Sequence, residues 1–378
     1  MNTIRATLCA VLLLSACTLC GPVVWAGSGA VAPSLEHMAG QMIMTGFRGT
    51  GEQPLSKDLQ YLLPDIRAGR IGGVILFEPD YLSKKTRNIR SLKQVAALTA
   101  LLQKDAPIPL FIGVDQEGGR VRRFKEEHGF ASTPSAAELG RGSPEATQTE
   151  AARMGTALHA VGINLNFAPV LDVDVNPKSP AIGALGRSFS AHPDRVTAHG
   201  QAFAEGLASA GVIPCYKHFP GHGSARHDTH LGLTDITDTW TPEELEPYRR
   251  ILPYTPPAMI MPAHVVHREK GGELPASLSP RIITGLLRDS LGWQGVVITD
   301  DLQMRAVEDK YSMKEAIRLA VLAGSDILLF GNNLRHDPQE GRKAHAALVE
   351  LVREGSIPES RIRESYTRIM TLKVATGL

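Results

Sequence analysis

Short apolar runs recur along the chain, each ending near Gly, Asp, Asn or His and each followed by a longer segment with apolar residues at helical spacing. Eight such runs occupy residues 42–46, 73–77, 110–114, 163–170, 212–216, 258–262, 295–299 and 326–330. Amphipathic stretches at 144–161, 193–210, 241–252, 279–291, 313–323 and 345–354 predict helices between them or after the last. Two helix starts are marked: Ser143 stands at an N-cap position before Pro144, and Thr241-Pro242-Glu243-Glu244 has the form of a capping box with proline in its first turn. Eight strand and helix units in series predict an α/β protein with a single (β/α)8 TIM-type barrel, whose active site lies in the βα-loops at the C-terminal ends of the strands. A doubly wound open sheet is the rival, and no Gly-rich phosphate fingerprint supports it.

In a barrel, chemically loaded residues should follow the apolar runs directly. Asp115-Gln116-Glu117-Gly118-Gly119-Arg120 follows the third, Asp172 and Asp174 the fourth, Lys217-His218 the fifth, His264 the sixth and Asp300-Asp301 the seventh. No Pro/Ser linker or low-complexity tract divides the body, so residues 27–378 are read as one catalytic domain. A formal net charge of +1, with Lys and Arg interspersed among Asp and Glu, excludes the electrostatic footprint of a nucleic-acid protein and favours a neutral or weakly charged substrate.

The first residues change the expected location. Arg5 supplies a positive n-region and residues 6–16 a short apolar core, so residues 1–26 are read as an export signal to the periplasm or another extracytoplasmic space. Leu14-Ser15-Ala16-Cys17 has the form of a lipobox, in which case lipidated Cys17 would tether the protein to the membrane. Val24-Trp25-Ala26 offers ordinary cleavage before Gly27, and an uncleaved anchor is opposed by the interruption at Cys20, Gly21 and Pro22. Cys9, Cys17 and Cys20 all lie in this leader, leaving Cys215 alone in the body as a buried structural thiol. No oligomeric state is indicated.

The richest chemistry lies between Lys217 and His230, a run holding four histidines, Asp228 and a lysine among glycines and a proline. Asp228 and His230 are two residues apart, so in an extended segment they share a side and Asp228 can orient the imidazole, leaving its other nitrogen for substrate. An imidazole with a reference pKa of roughly 6.5 suits proton transfer near neutrality. At the other pole, residues 296–301 end a strand in two acids. Alternation puts Asp300 and Asp301 on opposite faces, one aimed into the mouth and the other free to cap a following helix. A carboxylate fixed at a strand tip suits a glycosidase nucleophile. A metal site is the main alternative, since His218, His222, His227, Asp228 and His230 are all potential ligands. Pro220, Gly221 and Gly223 oppose the helix that a four-residue His spacing needs, and neither a metal nor another cofactor is expected. Surface histidines without function, and a catalytically silent sugar-binding protein, remain as further readings.

Lys217-His218-Phe219-Pro220-Gly221-His222-Gly223 followed by Asp228-Thr229-His230 closely resembles the signature of glycoside hydrolase family 3 β-N-acetylglucosaminidases that use an Asp-His dyad as acid/base. Asp115-Gln116-Glu117-Gly118-Gly119-Arg120-Val121-Arg122-Arg123-Phe124, Asn166-Phe167-Ala168-Pro169, Arg187-Ser188-Phe189 and Pro275-Ala276-Ser277-Leu278-Ser279 extend the likeness from about residue 39 to beyond 291. The resemblance implies that Asp300 is the nucleophile, His230 the acid/base and Asp228 its orienting partner. It further implies that Asp115, Arg123, Arg187, Lys217 and His218 bind the terminal sugar, and that Asp301 caps the helix. A segment at 182–187 two residues longer than the common form bears on the placement of Arg187. Other branches, such as the β-glucosidases, take their acid from a second domain for which this chain has no room, and the loop histidine fills that role. The expected activity is that of a retaining exo-β-N-acetylglucosaminidase acting on cell-wall or muropeptide-type glycans. The alternatives are a family 3 enzyme of other sugar specificity, a phosphorylase, or a metal-dependent barrel hydrolase.

Overall fold

Eight parallel strands follow one another in chain order around a closed sheet: β1 (Ile43–Gly46), β2 (Gly73–Leu76), β3 (Phe111–Val114), β4 (Leu165–Asn166), β5 (Ile213–Phe219), β6 (Met259–Pro262), β7 (Val296–Val297) and β8 (Leu328–Phe330). This computed structural model describes residues 32–229 and 232–378. The export signal, lipobox, Cys17 and His230 therefore lie outside the described residues. Residues 34–378 form one compact unit, and among the described residues no helix is long and apolar enough to cross a membrane.

Each of the eight apolar runs overlaps one strand. β1 pairs with both β2 and β8, and the circle closes where Ile327 N donates to Val297 O at 3.0 Å, Thr299 N to Ile327 O at 2.9 Å and Leu302 N to Leu329 O at 3.0 Å. The interior is filled. A Cβ added to Gly113 would stand 2.8 Å from Met44 Cε and 3.0 Å from Phe167 Cε2, so this level of the barrel has no spare volume. β5 runs three residues further than its apolar run, so Lys217 and His218 are strand residues rather than loop residues.

The helices cover the outside. Ser143 accepts from Ala146 N at the start of Pro144–His159, which packs along Pro193–Ser209. Arg281–Ser290 is wound as a π-helix, and Glu340–Arg353 begins five residues before the expected start at 345. The capping box at Thr241 does not form. A 3₁₀ turn at Pro242–Leu245 leads into Glu246–Ile251, and Glu244 is fully buried, accepting from Gly223 N at 2.8 Å and Ser224 N at 3.2 Å instead of from the Thr241 amide. Two buried amides without other partners outcompete one at a solvated helix end.

Candidate active site

The C-terminal ends of the strands enclose a cleft of about 440 Å3, within the size range of small-molecule sites. Asp115, Arg123, Arg187, Lys217, His218, Asp228 and Asp300 all line it, with Phe77, Met261 and Met304 as apolar wall. Seven of the eight expected site residues thus come together, and the eighth, His230, lies outside the described residues.

Lys217 sits at the centre of a chain of alternating charges. Its Nζ donates to Asp115 Oδ1 at 2.8 Å and lies 2.7 Å from Glu117 Oε1. Asp115 also accepts from Arg123 Nη2 at 3.2 Å, while Arg187 forks onto Glu117 through Nε at 2.8 Å and Nη2 at 2.7 Å. Burial opposes charge on Asp115, Glu117, Arg187 and Lys217, yet the pairing wins: Lys217 and Arg123 hold the Asp115 carboxyl below its usual range. Burial likewise works against Glu117, but Arg187 and Lys217 bring it to about 2. The Lys217 ammonium, against burial, is raised by Asp115 and Glu117. These four stay ionised at neutral pH, presenting fixed donors and acceptors suited to sugar hydroxyls and an acetamide carbonyl.

His218 is oriented from behind. Its Nδ1 lies 2.7 Å from Asp172 Oδ2, and Asp172, fully buried, is kept ionised against desolvation chiefly by His218. Nδ1–H therefore donates, which turns Nε2 toward the cleft, 3.4 Å from Arg187 Nη2. Asp172 Oδ1 accepts from His218 N at 3.2 Å and His222 N at 2.8 Å. Burial and the neighbouring His218 push the His222 imidazole down to about 4, so it is neutral. His227 is exposed.

The longer segment before Arg187 forms a short 3₁₀ turn, Gly183–Leu185, closed by Gly186 at φ +67°. Only a left-handed residue reverses the chain this tightly, and glycine adopts it without strain. The two additional residues are thereby absorbed and Arg187 still reaches Glu117.

Two expectations for the paired acids are corrected. β7 ends at Val297, so strand alternation does not extend to the acids, and Asp300 and Asp301 both line the cleft. Asp301 does not cap a helix, because Arg305–Glu308 begins four residues later. Its Oδ1 accepts from Gln303 N at 3.0 Å and from Gly331 N at 2.8 Å, tying the mouth of β7 to that of β8. His264, which follows β6, lies with Nε2 3.0 Å from Asp301 O and Nδ1 2.6 Å from Ser277 Oγ.

Glu117, Asp172 and Glu244 escaped the sequence reading as functional groups. Glu117 lies inside a motif already quoted, and Asp172 stands where strand-tip chemistry is expected. The rim after β2 was also missed, although Glu78 and Asp80 follow an apolar run. Asp80 accepts from Arg48 Nε at 2.7 Å and Arg87 Nη1 at 2.8 Å, and Arg87 Nη2 donates to Asn332 O at 2.8 Å. This clamp holds half-exposed Tyr81 at the cleft edge.

The same arrangement of chain occurs in characterised proteins. The family model described as the glycosyl hydrolase family 3 N terminal domain matches residues 34–372. Beta-hexosaminidase A of Pseudoalteromonas piscicida is 34% identical over 376 residues, covering 89% of this chain and 60% of that protein. Beta-hexosaminidase LpqI of Mycobacterium tuberculosis is 36% identical over 286 residues, covering 73% of this chain and 71% of that one. A glycoside hydrolase family 3 β-N-acetylglucosaminidase from Paenibacillus sp. superposes with a TM-score of 0.81 at 35% identity, over 92% of this chain and 63% of that chain. A β-N-acetylhexosaminidase from Beutenbergia cavernae gives 0.79 at 28% identity, over 92% of this chain and all of that one. The chain thus spans less than two thirds of some of these relatives and the whole of another. With a match across nearly all the described residues and the ion-paired cleft in the expected place, the chain belongs to glycosyl hydrolase family 3.

Proposed function

We propose that this protein is a retaining exo-β-N-acetylglucosaminidase that removes terminal β-linked N-acetylglucosamine from amino-sugar glycans such as cell-wall fragments. The observation that carries the reading is the ion-paired floor of the cleft, Asp115, Glu117, Lys217 and Arg187, set beside the Asp300 carboxylate. Such a floor grips one sugar ring, and the carboxylate supplies what a retaining mechanism needs. The names of the hexosaminidase relatives support the same substrate.

In the first step the Asp300 carboxylate attacks the anomeric carbon. The glycosidic bond breaks, and the leaving oxygen takes a proton from His230, which Asp228 orients. In the second step His230 removes a proton from water, the water oxygen bonds to the anomeric carbon, and Asp300 leaves as carboxylate. Asp115, Arg123, Arg187, Lys217 and His218 bind the terminal sugar. Residues 1–26 direct export, processed either by lipidation at Cys17 or by cleavage before Gly27, and residues 27–378 are the catalytic domain.

A fluoro-sugar trap followed by peptide mapping tests the central claim. The label is expected on the peptide holding Asp300, and a label elsewhere refutes the assignment. Replacing Asp300 by Ala should lower kcat by about a thousandfold or more, since a covalent route is lost. A panel of aryl β-glycosides with and without the acetamido group reads the sugar specificity, and a sugar phosphate formed in phosphate buffer would point to phosphorolysis. Mass spectrometry of the mature N-terminus decides between lipidation at Cys17 and cleavage before Gly27.

A further inference from the structure

We propose that Glu244 is a positioning residue for this hydrolysis, fixing the root of the segment that carries Asp228 against the sugar-binding end of β5. The inference rests on the hydrolase reading above. Between His218 and Ser224 the chain turns tightly, and two buried carboxylates take four of its amide N–H groups. Asp172 accepts from His218 and His222, and Glu244 Oε2 accepts from Gly223 at 2.8 Å and Ser224 at 3.2 Å. Glu244 is 0% exposed, and the turn packs directly against its side chain. A Cβ added to Gly221, at φ +122°, would stand 2.6 Å from Glu244 Cβ. Trp240, four residues earlier, adds a second tie by donating Nε1–H to Pro220 O at 3.1 Å.

From the opposite side Asn176 Nδ2 donates to Ala225 O at 3.2 Å and Asn176 N to Gly223 O at 3.3 Å. Beyond Ala225, Arg226 and His227 are exposed, Asp228 returns to the cleft wall three residues later, and Thr229 Oγ1 lies 3.5 Å from His222 Nε2. Glu244 and Asn176 hold residues 223–225, from which the chain leaves toward Asp228. His218, on the near side of the turn, is held by Asp172 independently of Glu244. Losing Glu244 should consequently disturb proton delivery to the leaving group while leaving sugar binding in place.

The test compares Glu244→Ala and Glu244→Gln on two N-acetylglucosaminides, a disaccharide with a poor leaving group and a 2,4-dinitrophenyl glycoside that departs without a proton. Glu244→Ala is expected to lower kcat/KM, which reports the first step, for the disaccharide by roughly tenfold or more, while kcat/KM for the dinitrophenyl glycoside and competitive inhibition by N-acetylglucosamine change less than about threefold. Glu244→Gln, whose carbonyl still accepts from both amides, should restore most of the loss. If Glu244→Ala does not fold, the same comparison is read on Glu244→Asp, whose shorter side chain cannot reach both amides. Equal losses on both substrates, or no loss on either, overturn the proposal. A wild-type protein inert toward both glycosides sinks the hydrolase reading and the proposal with it, whereas an active wild type with an indifferent Glu244→Ala sinks the proposal alone.

Discussion

Lys217 has one ammonium and two carboxylate partners, so its removal leaves part-buried Asp115 and buried Glu117 with one cation each, at Arg123 and Arg187. Lys217→Met should cost about 3–5 kcal/mol of stability by stranding buried charge, read as a lower denaturation midpoint, together with a weakened sugar affinity. Glu244 titrates near neutrality: burial, helped by the Asp172 charge, lifts it from 4.5 to about 7, with the Tyr248 hydroxyl also beside it. Its folded pKa lies above its unfolded value, so the folded protein keeps a proton that the unfolded chain releases in between. Stability from this group is complete below about pH 4.5 and falls by up to about 3 kcal/mol as pH rises to 7. Glu244→Gln should remove that slope, so that its melting temperature gains on wild type between pH 5 and 7.5, and parallel pH curves would refute it. At this scale the motif residues were legible, because strand-tip position and side-chain chemistry coincide. Glu244 was not, because a Thr-Pro-Glu-Glu string is equally consistent with a solvated helix start and with a carboxylate turned inward. Only the unpaired amides of a distant glycine-rich turn decide between them.

Among the elements, the seam between β7 and β8 carries a buried polar cluster. Asp326 is fully buried between the two strands, accepting from Val297 N through Oδ2 at 3.0 Å and from Ser365 Oγ at 2.8 Å. Arg288, Arg361 and Arg368 reach it from two helices, at 2.8, 3.1 and 3.2 Å. Asp326→Ala would leave three guanidinium groups around an empty position and should lower stability by about 3–5 kcal/mol, measured by chemical denaturation. Cleft residues on β3 to β5 should keep their geometry in any folded fraction. The strands were legible from apolar runs bounded by polar residues, and Pro144–His159 and Pro193–Ser209 from their periodicity and leading prolines. Where β5 ends was not, since Lys217 and His218 look like loop residues until their polar atoms find buried partners. The acids after β7 were misassigned for the converse reason, as a two-residue strand has no alternation to extend.

For the whole molecule, the barrel followed from counting strand and helix units, and the family from several motifs in order. The position of the cleft followed from the barrel rule. What the pattern withheld is which side chains complete one another across the mouth, because Glu117 and Arg187 are 70 residues apart and no local spacing links them. The charges of the cleft floor are satisfied by one another at contact distance. Salt screens exposed charges beyond a Debye length of about 10 Å at 0.1 M and buried pairs far less. Binding of an uncharged sugar should therefore be nearly indifferent to ionic strength, with KM for a neutral N-acetylglucosaminide varying less than about twofold between 0.02 and 0.5 M sodium chloride. A cleft built this way should hold a neutral sugar equally well in brine and in dilute water.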